Sequence, residues 1–350
     1  MNIYYDIGRL LSYTELYKIA VGQRGNGKTF QAKLQGVKKF LKTGYQFMYV
    51  RRYKTEHKNI KKFFDDLVIE NNKRIAKGKT PFFPKDTNFE VVGSWKDGSG
   101  VFKINDKVAG YWVTLSIQLT FKSTPFPLVT MLVFDEFLIK KGTYHYLSEE
   151  VSDFEDLVET VFRDRDGPEI VGAIMLSNKI SWYNPYFLAW KINPFNTEFY
   201  RNKERQIVIQ QCASEEFKAH KYSTRLGQHL QNTKYGNYSI ENESLEELSS
   251  FVEKMPATAK PFFNVRYMGV TYGFWLDTKE NKAYFSNKFD PFCKFEFALT
   301  TSDHSLNTYY LKNKKNCQLS YFSWFYEQGR LFADSNTVDP VLQEILKLML

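Results

Sequence analysis

Three cysteines in 350 residues, Cys212, Cys293 and Cys317, are too few and too far apart to staple a fold or to hold a structural zinc. The five histidines are scattered, so no zinc signature forms from them either. No apolar run approaches the roughly 18 residues that cross a bilayer, and no signal peptide opens at Met1. A cytosolic chain in a reducing compartment, with no membrane partner, is expected. Low-complexity tracts and internal repeats are missing as well, which excludes fibrous and solenoid architectures.

What is present is ordinary in bulk. Hydrophobic content of 43% and charged content of 25% fit a globular protein long enough for two domains. Aromatics are abundant, with 31 Phe and 23 Tyr, and most of them should fill cores. A formal net charge of +9 favours a polyanionic partner, nucleic acid before a membrane surface.

One stretch carries specific chemistry. Gly22-Gln23-Arg24-Gly25-Asn26-Gly27-Lys28-Thr29 fits the P-loop pattern G-x-x-x-x-G-K-[ST]. Its glycines let backbone N–H groups curl around phosphate oxygens, Lys28 reaches the β- and γ-phosphates, and the Thr29 hydroxyl ligates Mg²⁺. The context agrees: Leu16 to Val21 reads as a buried strand, and Phe30, Leu34, Val37 and Leu41 recur at helical spacing. Residues Asp6 to Glu15 form a lead-in that can cover the nucleotide base.

A second strand, Gln46 to Val50, delivers the basic run Arg51-Arg52-Tyr53-Lys54 to the ligand-binding edge of the sheet. Arg51, Arg52 and Lys54 are candidates for contact with nucleotide, a neighbouring subunit or DNA, and a solvated surface run is the equal alternative. Ile60, Phe63, Phe64, Leu67 and Val68 predict a helix. Residues 89–116 then read as a β-meander turning at Asp97-Gly98 and Asn105-Asp106. Lys122, in the loop before the next strand, is either a DNA-phosphate contact or an exposed structural lysine.

Leu128 to Phe134 is a continuous apolar run of the kind buried on both faces of a parallel sheet. It ends in Asp135-Glu136. Asp135 has the place of the acid that helps hold Mg²⁺, and Glu136 can polarise the attacking water. A guanine-specific site is not supported, because Leu138 stands where D-x-x-G needs glycine and Ser181 replaces the Asp of N-K-x-D. A helix over 151–162 leads into Arg163-Asp164-Arg165-Asp166. Either arginine can project toward a neighbour's γ-phosphate, or both can simply pair with the aspartates. Ile170 to Leu176 is a further buried strand, and Asn178 beyond it can sense the γ-phosphate.

Composition shifts near Arg201. Residues 1–210 read as the ATPase domain, 211–245 as a linker or lid, and 246–350 as a C-terminal domain with strands at 262–268, 272–277 and 283–285. Leu342, Ile345, Leu346 and Met349 predict a closing helix.

With these motifs placed, the chain resembles the DNA-packaging ATPases (encapsidation proteins) of the phi29-like podoviruses. The resemblance rests on Gly22–Thr29, Tyr49–Lys54, Val133–Phe137, Thr160–Arg163, Leu176–Asn178 and Asn184–Phe187, in that order along the chain. It implies an α/β fold: an ASCE-type P-loop domain with a mainly parallel sheet and an extra strand between the two phosphate-site strands. A smaller α+β domain similar to an RNase H-like nuclease without its acids completes it. It also implies ATP and Mg²⁺ at Gly22 to Thr29 and Asp135, Glu136 as catalytic carboxylate, and Arg163 as a finger acting in a neighbouring subunit. Implied partners are double-stranded DNA, a homo-pentameric ring, the portal of an empty prohead and, in some relatives, a structural packaging RNA. The protein would work in the host cytoplasm, transiently at the portal vertex, and be absent from the mature virion.

The residues themselves agree that nuclease chemistry is missing: Phe262 to Met268 offers Arg266 and no acid, where two-metal cleavage needs clustered carboxylates. Rival readings are a small-molecule phosphotransferase, a helicase, or a nucleic-acid-binding structural protein merely stabilised by nucleotide.

Overall fold

The computed structural model describes residues 3–139, 146–147, 149–178, 184–192, 195, 197–241, 252–310, 317–335 and 337–349. In chain order the elements begin with α1 (Gly8–Leu11), β1 (Tyr17–Gly22), α2 (Lys28–Thr43), β2 (Gln46–Arg51), α3 (Asp65–Ala76), β3 (Phe89–Val92), β4 (Ser99–Ile104) and β5 (Lys107–Thr114). They continue with β6 (Val129–Asp135), α4 (Glu150–Phe162), β7 (Gly172–Asn178), α5 (Pro185–Ala189), β8 (Phe199–Asn202), β9 (Ile207–Cys212), α6 (Glu215–Tyr222), α7 (Arg225–Leu230) and α8 (Lys234–Ser239). The remainder comprises β10 (Lys260–Tyr267), β11 (Val270–Asp277), β12 (Lys282–Ser286), β13 (Glu296–Ala298), β14 (Tyr309–Tyr310), α9 (Cys317–Glu327), β15 (Leu331–Ala333) and α10 (Asp339–Met349). Two compact units result: Met1–Trp182 with Ala189–Leu245, and Tyr183–Leu188 with Glu246–Leu350.

The first unit is built on a nine-stranded sheet in the order β3-β4-β5-β2-β6-β7-β1-β9-β8. Strands β5, β2, β6, β7, β1 and β9 run parallel, and the antiparallel pairs lie at the two edges. Because β7 lies between β1 and β6, the P-loop strand and the acid-bearing strand are separated by one strand, the ASCE order. Every residue of β6 is buried, as the unbroken apolar run requires. Met131 and Val133 join Leu34, Val37, Phe63 and Leu67 in one core on the α2–α3 face. Phe134 points to the other face, with its ring 5.0 Å from that of Phe154 on α4. The meander turns where Asn105 and Asp106 adopt positive φ, the conformation two-residue hairpin loops demand.

Within 211–241 lie three short helices, each opened by a hydroxyl N-cap: Ser214, Thr224 and Thr233 accept from the backbone N–H groups of Phe217, Gly227 and Gly236. The segment is stitched to the P-loop in the same unit. Gln23 donates from Nε2 to the Ile240 carbonyl at 2.7 Å and accepts from the Ser214 N–H at 3.0 Å. Lys221 Nζ donates to the Arg24 carbonyl at 2.7 Å.

The second unit holds a six-stranded sheet ordered β14-β13-β10-β11-β12-β15, an antiparallel β10–β11–β12 meander flanked by parallel additions. Phe263, Phe274, Phe285, Phe297 and Phe322 pack with Leu342, Ile345 and Leu346 of α10 in its core. The Met349 side chain lies outside the described residues.

Candidate nucleotide site

The P-loop is a left-handed turn between β1 and α2. Gly25 and Gly27 have φ of 77° and 98°, values that side chains with a Cβ rarely adopt. Gly22 is needed for another reason: a Cβ there would sit 2.2 Å from the Cys212 carbonyl oxygen of β9. Helix α2 begins at Lys28 with no acid in its first turn, so its unpaired N–H groups offer an uncompensated positive end. Lys28 is buried and donates to the carbonyls of Gly22 and Gln23 and to Asn26 Oδ1, at 3.2, 2.8 and 3.1 Å. Burial lowers its ammonium to a pKa of about 8.

A cavity of about 310 Å³ opens over this turn, lined by Arg24 to Phe30 on one side and by Asp135, Glu136, Ser177 and Asn178 on the other. The volume suits a phosphate chain. Thr29 Oγ1 donates to Asp135 Oδ1 at 3.0 Å, so a hydroxyl and a buried carboxylate already face each other from β6 and α2. A hard-oxygen pair of this kind fits Mg²⁺, and Thr29 and Asp135 are the residues that would hold it. Burial raises the Asp135 pKa, Arg51 beside it pulls it down, and Glu136 pushes it up again.

Glu136 follows in the left-handed region at φ 58°, a backbone state that costs about 1–3 kcal/mol and concentrates at functional sites. The turn throws its side chain out over the cavity, where it is 57% exposed and available to water. Arg51 at the end of β2 grips it, NH2 to Oε2 at 2.6 Å. The same guanidinium lies 3.0 Å from Glu56 and 3.5 Å from Asp135.

Tyr49 is a site residue that the sequence reading did not single out. Its hydroxyl donates to Asp135 Oδ2 at 2.9 Å, and the phenol is held well above its usual pKa by burial and by that carboxylate. The signal was alternation along β2: Phe47, Tyr49 and Arg51 share a face.

Two of the DNA-contact candidates are engaged within the protein itself. Arg51 is committed to three carboxylates at the nucleotide site. Arg52 is 2% exposed and forms a two-pronged pair with Glu150, both contacts at 2.6 Å. The Arg52 guanidinium is buried, and that of Arg51, 15% exposed, turns to the carboxylates at the cavity. Lys54 is half-buried and donates to the Lys96 carbonyl at 3.1 Å. Lys122 caps a short 3₁₀ helix and pairs with Asp156 at 3.0 Å, remaining 52% exposed.

The two arginines after α4 separate clearly. Arg165 donates from NH1 to the carbonyls of Phe126, Val129 and Val161, a clamp on the start of β6. Arg163, the C-cap of α4, is 60% exposed and touches Glu159 one turn back at 3.0 Å. Asn178 ends β7 at the cavity wall, while Lys179, Ile180 and Ser181 lie outside the described residues.

In the second unit, Asp277, Asp290 and Asp303 each serve their own turn. Asp277 accepts from Thr258 Oγ1, Asp290 from the Phe292 N–H, and Asp303 from the N–H groups of Met268 and Gly269. Among the described residues, no group of three or more Asp, Glu, His or Cys side chains is placed to hold a metal.

A glycine-rich turn, a hydroxyl–carboxylate pair and an exposed glutamate on an ASCE sheet give the fold of the P-loop nucleoside-triphosphatases. Comparison with known proteins narrows the class. The chain belongs to the podovirus DNA encapsidation proteins (Gp16), whose family pattern matches residues 1–350. It is 31% identical to the DNA packaging protein of Bacillus phage phi29 over 352 residues, covering 99% of this chain and 98% of the relative. It is 32% identical to that of Bacillus phage B103 over 342 residues, covering 97% and 99%. A chain of the bacteriophage Phi-29 viral genome packaging motor assembly superposes with a TM-score of 0.70 at 30% identity, over 99% of this chain and all of that one. The family assigns the chain to viral DNA packaging.

Proposed function

We propose that this chain is the ATP-hydrolysing subunit of a viral motor that drives double-stranded DNA into a prohead. The observation that carries the chemistry is Glu136 held over a phosphate cradle, directly after an acid that faces Thr29. ATP supplies the phosphoryl group and Mg²⁺ the charge neutralisation; Thr29 and Asp135 would hold the metal. Lys28 and the N–H groups of the turn bind and orient the phosphates. Glu136 accepts the proton of the attacking water, once Arg51 releases its carboxylate. Asn178, at the end of β7, lines the γ-phosphate end of the cavity.

Arg163 completes a neighbouring subunit's site rather than its own. Its exposure and its single ion pair to Glu159 leave it free to reach outward, and Arg165 is occupied with backbone. A homomeric ring at the portal follows from a finger that acts in trans, with a pentamer as the family expectation. Lys122, exposed beside Asp156, and Lys54 are the remaining candidates among the basic residues for the DNA grip. A structural packaging RNA is a further candidate partner, and the site of action is the portal vertex in the host cytoplasm. Domain limits of 1–210, 211–245 and 246–350 are refined to a motor unit that includes 211–245 and a C-terminal unit for docking to nucleic acid or portal.

The test is packaging itself. Purified chain, proheads, linear double-stranded DNA and Mg-ATP should yield nuclease-protected DNA, with and without the packaging RNA as separate arms. Phosphoryl transfer from ATP to a small acceptor in place of water, and no protection in either arm, would favour the phosphotransferase rival.

A further inference from the structure

Arg51, the last residue of β2, and Arg52, just beyond it, hold the same glutamate by different atoms. Arg51 grips the Glu136 carboxylate at 2.6 Å. Arg52, on the opposite face, donates from NH1 to the Glu136 carbonyl at 3.3 Å and from NH2 to the Phe137 carbonyl at 2.6 Å. Its Nε and NH2 also fork onto Glu150, the first residue of α4. Glu150 accepts in addition from the Leu147 N–H at 2.9 Å. The guanidinium lies 5.5 Å from the ring of Phe134, the residue before Asp135, and 5.1 Å from that of Tyr146.

A fully buried ion pair of this kind adds little net stability over a well-packed apolar pair, because desolvating both charges offsets their attraction. What a guanidinium adds is direction: five N–H donors in a fixed plane. Here that plane joins the strained peptide after the catalytic acid to the first turn of a helix. The helix is rigid and about 20 Å long by its 1.5 Å rise per residue, and its far end is Arg163.

We propose that Arg52 is a positioning residue that couples the Glu136 peptide of one subunit to the Arg163 that the same subunit presents to its neighbour. The coupling rests on the reading of Arg163 as a finger acting in trans. When the Glu136 backbone leaves its left-handed state, the Arg52–Glu150 fork moves the start of α4, and Arg163 moves with the helix.

Trans-complementation tests this. The variant pair Arg52→Met with Glu150→Met removes both charges and leaves neither stranded, so fold and nucleotide binding should persist. Melting temperature and affinity for a fluorescent ATP analogue check that, and Arg52→Lys serves as the second variant where the double one fails to fold. Each is mixed with Arg163→Ala in the presence of proheads and DNA, and ATP hydrolysis is read. Glu136→Gln, whose own finger and clamp are intact, should restore turnover to Arg163→Ala sites. The clamp variants should restore it at least tenfold less well. If they rescue as well as Glu136→Gln does, the coupling is overturned. Should Glu136→Gln itself fail to rescue, the finger reading falls and the coupling with it.

Discussion

Arg51 and Glu136 stand 2.6 Å apart across the mouth of the nucleotide site, from the ends of β2 and β6, adjacent strands of the sheet. A carboxylate paired in this way is aimed by its partner. If Glu136 is the base proposed above, the pair sets its position before turnover.

Arg51→Met should turn ATP over at least tenfold more slowly, with nucleotide affinity changed far less. The acidic limb of the pH–rate profile should also move to higher pH. Asp135 is already raised by burial, and Arg51 is the cation that pulls it down, so removing the cation raises it further. A profile that keeps its acidic limb in place would show that Arg51 does not control this carboxylate.

Lys28 gives a second pH signature. Its folded pKa of about 8 lies below the unfolded value near 10.4, so between these limits the unfolded chain binds more protons. The lysine's contribution to nucleotide-free stability accordingly rises with pH across about 8 to 10.4. Phosphate beside the ammonium restores its proton, so ATP binding near pH 8.5 should take up a fraction of a proton. Titration calorimetry in buffers of different ionisation enthalpy measures this, and no uptake would place Lys28 fully charged beforehand.

Arg163→Ala and Arg165→Ala should fail differently. The first should abolish ring turnover with unchanged melting temperature and retained ATP binding. The second strips three backbone carbonyls of their donor and should cost roughly 1–3 kcal/mol of stability. Thermal melts and nucleotide titrations on both variants separate the two roles.

The P-loop and the Asp135-Glu136 pair were legible in sequence because phosphate and metal chemistry dictate residue type at fixed spacing, and β6 advertised itself by unbroken apolarity. Arg51 and Arg52 were harder. A basic run at a strand end looks solvated until its acidic partners are known, and Glu136 and Glu150 lie 85 and 98 residues further on. Only the fold brings them together. The period-2 alternation of β2 was nevertheless visible, and it separates the two arginines and places Tyr49 with Arg51. The helices of 215–239 were missed for another reason: they are short and weakly amphipathic, so periodicity is faint. Their hydroxyl N-caps at Ser214, Thr224 and Thr233 were the readable signal.

Steady-state ATP hydrolysis by Glu136→Gln, measured beside the unaltered chain with proheads and long linear double-stranded DNA, tests the central claim most directly. The substitution keeps size and hydrogen bonding but removes the base. Hydrolysis should fall at least a hundredfold while affinity for ATP stays within a few-fold and DNA packaging ceases. Hydrolysis and packaging at the unaltered rate would contradict the account, because the carboxylate over the phosphate cradle would then not be the group that activates water.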